Sequence, residues 1–109
     1  MNPASILVTV ANSGTPTQVT ADSSVWAVKI AVQQNPANTG RILIGKAGLN
    51  KTTLANVLVQ LAATGTAVTA VPSYWTVESQ DTTNRLRLAD YWLDAEVNGE
   101  SALVAYWTG

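Results

Sequence analysis

Along most of the chain apolar and polar side chains alternate one for one, the period of a strand with one buried face. Ala4 to Ala11 sets Ile6, Val8 and Val10 on one side and Ser5, Leu7 and Thr9 on the other, and predicts a first strand. Asn12-Ser-Gly-Thr-Pro16 is a turn cluster, the segment to Thr20 reads as a short edge strand, and Asp22-Ser-Ser24 turns the chain again. Val25 to Gln33 resumes the alternation, with Trp26, Val28, Ile30 and Val32 on one face and Lys29 on the other, which makes Trp26 a predicted core anchor. In Asn35-Pro-Ala-Asn-Thr-Gly40, Pro36 fixes φ and Gly40 supplies a left-handed position, so Arg41-Ile-Leu-Ile-Gly45 is expected to return beside the preceding strand.

The middle of the chain carries two periods at once. Leu54, Leu58 and Leu61 fall at helical spacing, while Val57-Leu-Val59 suits a strand equally well, so a short helix or turn is expected within 52–60, leading into a strand. Thr66 to Val71, Tyr74 to Glu78 and Arg85 to Leu88 are further short β segments, separated by Pro72 and by Gln80-Asp-Thr-Thr-Asn84. Tyr91 to Trp107 reads as one β-hairpin closed by Asn98-Gly99, because both central residues of a type I′ turn need φ > 0 and Asn and Gly adopt it at least cost. About eight or nine short strands with turn signals between them predict an all-β antiparallel sandwich or jelly roll. Residues 1–109 are long enough to share one core, and residues 1–12 are read as an interface strand or arm.

Composition narrows the chemistry. Only 12% of the residues are charged, and six basic against seven acidic side chains leave a formal charge of −1, so no long-range field selects nucleic acid or another polyion as partner. No stretch approaches the ~18 consecutive apolar residues of a membrane span, and Met1-Asn-Pro lacks the basic start of a secretory signal, so the expectation is a soluble chain that starts in the cytosol. The absence of Cys and His removes disulfides, thiolate zinc sites, thiol nucleophiles and the usual general base. No cofactor or metal is expected, and the chain reads as a structural or binding protein and not an enzyme.

Two motifs still look chemical. Arg41 to Leu61 has an apolar strand, Gly45, four residues and then Asn50-Lys51-Thr52, close to a phosphate-binding loop; but Asn50 stands where that loop needs Gly, and no second apolar strand downstream offers an acidic magnesium ligand in a parallel-sheet context. A solvent-facing loop between β elements is the expected outcome. Asp94 and Glu96 lie two apart on one strand face, alternating with Leu93, Ala95 and Val97, and read as the solvated side of an ordinary strand; Arg85 and Arg87 read the same way.

All three Tyr residues immediately precede a Trp, at Tyr74-Trp75, Tyr91-Trp92 and Tyr106-Trp107. On a strand each pair sends its rings to opposite faces, one to the core and the other over a sheet surface, where it is available to an interface or, as an alternative, to a carbohydrate ring. The expected interface residues are therefore Ile6, Leu7, Val8 and Val10 of the first strand together with Trp75, Trp92 and Trp107.

The order of these features, a Trp-led strand, Asn35 to Gly40, Arg41 to Gly45, Gly48-Leu-Asn50, Leu86-Arg-Leu-Ala-Asp-Tyr-Trp-Leu-Asp94 and the Asn98-Gly-Glu turn, resembles the small β-sandwich virion proteins of tailed bacteriophages that decorate or cement the capsid, over residues 24–107. The resemblance implies a non-enzymatic subunit on the outer shell surface that bridges capsomers, with the major capsid protein as partner, a homotrimeric state, and location in the virion after assembly in the host cytoplasm. A head-to-tail or baseplate component would share the same fold and the same lack of reactive groups.

Overall fold

The computed structural model of the protein describes residues 2–63, 74–79 and 85–108. In chain order the strands are β1 (Asn2–Thr9), β2 (Thr17–Gln18), β3 (Trp26–Ala27), β4 (Lys29–Gln34), β5 (Ile42–Gly45), β6 (Val57–Leu61), β7 (Tyr74–Glu78), β8 (Leu86–Arg87), β9 (Trp92–Ala95) and β10 (Ser101–Thr108), with a 3-10 turn at Leu88–Asp90. The strand expected at 66–71 and the turn at 80–84 lie outside the described residues.

Every pairing among the described residues is antiparallel. One four-stranded sheet has the order β1-β10-β4-β7, a second the order β2-β9-β5-β6, and β3 and β8 form a two-stranded ribbon. Val8, Ile30, Val32, Ala102 and Val104 of the first sheet share one contiguous core with Ile42, Ile44, Leu61, Leu93 and Ala95 of the second, the arrangement of a sandwich. Each of the larger aliphatics removed from water there contributes roughly 1.5–3 kcal/mol before chain entropy is counted.

Several sequence-based expectations change. Tyr91 to Trp107 is not a hairpin: β9 joins β2 and β5, whereas β10 joins β1 and β4, so the Asn98-Gly99 turn carries the chain from one sheet to the other. Gly99 has φ +80° while Asn98 keeps a negative φ, which is not the doubly positive type I′ geometry of a tight hairpin. The turn is fastened instead to the end of the first strand: Gly99 N–H donates to the Val10 carbonyl at 2.8 Å and Val10 N–H to the Glu100 carbonyl at 2.9 Å.

Arg41 to Gly45 likewise does not return beside its predecessor, since β5 pairs with β6 and β9. The connecting loop is held by buried amides. Asn38 donates to the Ser101 carbonyl and to Gln34 Oε1, while Gln34 Nε2 reaches the carbonyls of Gly40 and Leu61, each at 3.2 Å. Glu100 caps the same loop, accepting from the N–H groups of Thr39 (2.6 Å) and Gly40 (2.9 Å).

Trp26 is not a core anchor. It is 44% exposed, because the strand breaks at Val28: Ala27 is inward in β3, Ile30 and Val32 are inward in β4, and the phase of alternation shifts between them. Of the short helix or turn expected ahead of a strand, residues 52–56 take the turn, Leu54 and Asn56 having φ of 62° and 58° before β6 begins. Finally, β1 is no separate arm, since it pairs with β10 along its whole length, from Asn2↔Thr108 to Thr9↔Ser101.

Candidate interaction surface

The outer face of the β1-β10-β4-β7 sheet is built by strand register. Side chains that point away from the core line up across the sheet in rows, one of them Leu7–Leu103–Gln33–Tyr74 and another Ser5–Ala105–Ala31–Thr76. Leu7 is 61% exposed, Leu103 40% and Tyr74 64%, so the first row presents three large side chains to solvent. The second row has small side chains and leaves the middle of the face flat. Charge enters only in a third row, Pro3–Trp107–Lys29–Glu78, where Lys29 Nζ lies 3.6 Å from Glu78 Oε1 and 5.2 Å from the centre of the Trp107 ring. A face that is apolar at one end, flat in the middle and internally neutralised at the other suits contact with another protein surface.

The sequence-predicted interface residues divide between surface and core. Leu7 is exposed, whereas Val8 and Val10 are buried and Ile6 packs partly against the core, so of that strand only the Leu7 side is presented outward. Each Tyr-Trp pair does split across its strand, but not always in the same sense. Tyr91 and Tyr106 turn inward and leave Trp92 and Trp107 on outer faces; in β7 the order reverses, Tyr74 pointing out and Trp75 packing against the core with its ring 6.3 Å from that of Tyr91. Trp75 is therefore turned towards the core, and Tyr74 takes the outward place in that pair.

That geometry also limits carbohydrate stacking. Trp107 borders an open cleft of about 410 Å3, but Lys29 covers its ring. Trp92 borders a second open cleft of about 350 Å3 with Gln18, Lys46 and Asp90. Those polar groups are already engaged within the chain: Gln18 with the Ala89 carbonyl at 2.8 Å, Asp90 with Arg87 Nη2 at 2.9 Å, and Lys46 over the Tyr91 ring at 4.8 Å. Arg87, expected on a solvated strand face, also lies over Trp26, 5.8 Å from its centre.

The loop that resembles a phosphate cradle is the β5–β6 connection. The N–H groups of Thr52 and Thr53, which a phosphate would need, donate to Asn50 Oδ1 at 2.8 and 3.0 Å. Asn50 thus supplies, from its own side chain, the acceptor that an anion would be, and Lys51 turns away to bond Ser13 Oγ.

Asp94 departs most from its expected place. It is 1% exposed, because β9 lies inside its sheet and the turn after β1 covers its outer side; Asp94 Oδ1 accepts from the N–H groups of Gly14 at 3.0 Å and Ala95 at 2.8 Å. Glu96 stays near the surface and pairs with Arg41, Nε to Oε1 being 2.7 Å. The Arg41 side-chain hydrogen bond is the main cause that holds the Glu96 carboxyl below its ordinary pKa, against opposing desolvation. The same bond raises the Arg41 guanidinium, and burial together with the Asp90 charge raises the Tyr91 phenol.

Leu103 and Tyr74 were not singled out from sequence as interface residues. The signal was present for Leu103, because Ser101 to Thr108 alternates Ala102, Val104 and Tyr106 against Leu103, Ala105 and Trp107. No known protein family, curated protein or solved structure matches the chain.

Proposed function

We propose that this chain is a non-enzymatic decoration protein that docks on the outer surface of a bacteriophage capsid and stabilises contacts between capsomers. The observation that carries the reading is the outer face of the β1-β10-β4-β7 sheet, where Leu7, Leu103 and Tyr74 stand exposed in one register row beside a flat strip of small side chains. Near-neutral charge supports it, because a surface with no strong field is suited to protein contact made by shape and apolar burial. The resemblance of residues 24–107 to virion proteins supplies the capsid as partner.

Cosedimentation with purified phage shells tests this directly. The chain is expected to pellet with shells, and Leu103→Glu, which places a charge in the centre of the row, is expected to weaken binding at least tenfold while the free protein keeps its fold. Trp92→Ala, on the other sheet, is expected to bind as the parent does. Binding that survives Leu103→Glu but fails in Trp92→Ala would move the docking site to the opposite sheet, and no binding to any shell would overturn the reading.

A further inference from the structure

β1 is the outermost strand of its sheet and has no neighbour beyond it among the described residues. Which of its peptide groups face that open edge follows from Val10, whose N–H and C=O both bond towards Glu100 and Gly99. Peptide groups alternate sides along a strand, so Val8, Ile6, Ala4 and Asn2 bond to β10, and those of Thr9, Leu7, Ser5 and Pro3 point outward. The opposite edge of β10 agrees, since the Ser101 carbonyl accepts from Asn35 and the Trp107 carbonyl from Val28, both on the β4 side. Pro3 thus sits where its missing N–H breaks no ladder bond.

Edges of this kind are usually blunted by charge or twist. Asn2 to Thr9 contains no charged residue, and its one blocking residue, Pro3, is near the start, leaving the N–H groups of Ser5, Leu7 and Thr9 open. We infer that β1 pairs antiparallel with β1 of a second copy about a two-fold axis at Leu7, which makes one continuous sheet from two chains.

The strand is complementary to itself in this register and in few others. Leu7 faces its own symmetry mate, Ser5 faces Thr9, and about six backbone hydrogen bonds form, while Pro3 falls beyond the paired segment. The outer row then runs Leu103–Leu7–Leu7–Leu103 across the axis and covers the most exposed aliphatic side chain of the face. On the inner side Ile6, half-buried in one chain, meets Val8 of the other. No like charges approach, because the strand has none. So short a contact buries well under the about 800 Å2 per partner of a standard interface, so a weak dimer is expected, with a dissociation constant of about 10 μM or more.

The pairing goes beyond the capsid reading and is tested without shells. Sedimentation equilibrium of the full chain up to about 1 mM is expected to show monomer and dimer. Ser5→Pro, which repeats the arrangement of Pro3 and removes only an outward N–H, is expected to raise the dissociation constant at least tenfold with an unchanged circular dichroism spectrum. Because the chain has no Cys, single cysteines report the register. Hydrogen-bonded partners lie about 5.5 Å apart at Cα, within disulfide reach, so Leu7→Cys under oxidised glutathione is expected to form covalent dimer at least tenfold faster than Ser5→Cys or Thr9→Cys. A monomer throughout the range, a trimer, a Ser5→Pro variant that associates like the parent, or equal cross-linking at the three positions would each overturn the pairing. A monomer that still pellets with shells would remove the pairing and leave the capsid reading intact.

Discussion

Asn38 holds Ser101 by both of its backbone polar groups: Nδ2 donates to the Ser101 carbonyl at 2.6 Å and Oδ1 accepts from the Ser101 N–H at 3.2 Å. One side chain thus imitates a neighbouring strand at the point where β10 begins, and it does so from the loop that carries the chain between sheets. Replacing it strands two groups, the Ser101 N–H and the Gln34 amide oxygen, and leaves the Ser101 carbonyl only the 3.4 Å bond from the Asn35 N–H. Asn38→Ala is expected to lower unfolding free energy by about 2–4 kcal/mol, and Asn38→Asp by at least as much, since a carboxylate would face two acceptors. Urea titration followed by Trp fluorescence measures both.

Two glycines separate crowding from backbone conformation. A Cβ on Gly45 would lie 2.1 Å from the Asn56 carbonyl oxygen, at the irregular pairing of β5 with β6, and Gly45→Ala is expected to cost about 3 kcal/mol or more or to prevent folding. Gly99 has open space around it but a φ of +80°, so Gly99→Ala is expected to cost only about 1–2 kcal/mol. Thermal melts of the two variants are expected to rank in that order.

The Arg41–Glu96 pair predicts a pH dependence. Because the Glu96 carboxyl titrates below its ordinary 4.5 in the folded chain, its contribution is complete above that value and is lost as pH falls through the lower folded pKa. Both side chains are about two-fifths exposed, so screening keeps the contribution to about 0.5 kcal/mol. Glu96→Gln is expected to be less stable than the parent by that amount at pH 7 and to converge with it as pH falls through the lowered Glu96 pKa; a gap that does not shrink on acidification would contradict the assignment.

Alternation puts Trp26 and Ile30 on one core face, and only Ile30 is there in the structure. Trp26→Ala loses a ring exposed beside Arg87 and is expected to cost about 1 kcal/mol or less, whereas Ile30→Ala opens a cavity in the shared core and is expected to cost about 2–5 kcal/mol. Chemical denaturation of the pair decides between the two placements.

These cases show what alternation can and cannot convey. It assigns faces within an unbroken strand, so the division of Ile6 from Leu7 and of Tyr106 from Trp107 was legible, as was the all-β class. It carries no information across a break, and nothing in Val25 to Gln33 marks the bend at Val28. Nor does it name partners: Asn98-Gly99 is locally a hairpin signal, yet Val10 takes its bonds from residues far away in sequence. Asp94 was misjudged for a related reason, since only the fold places the turn at Gly14 over it. Leu103 was readable from its strand, but its standing in one row with Leu7 and Tyr74 required the register of four strands.

The position of β10 between β1 and β4 has a consequence for how the chain is made. β10, an inner strand of this sheet, is synthesised after the other three, and one of its two neighbours, β1, is synthesised before them. Until Ser101 to Thr108 has left the ribosome, β1 and β4 have no partner on their shared side, so this sheet closes only once β10 has emerged, by a contact that joins β1 to β10 across about a hundred residues of sequence. Folding is expected to be slow for the length of the chain, and nascent chains halted before Ser101 should be open to proteases that spare the finished protein.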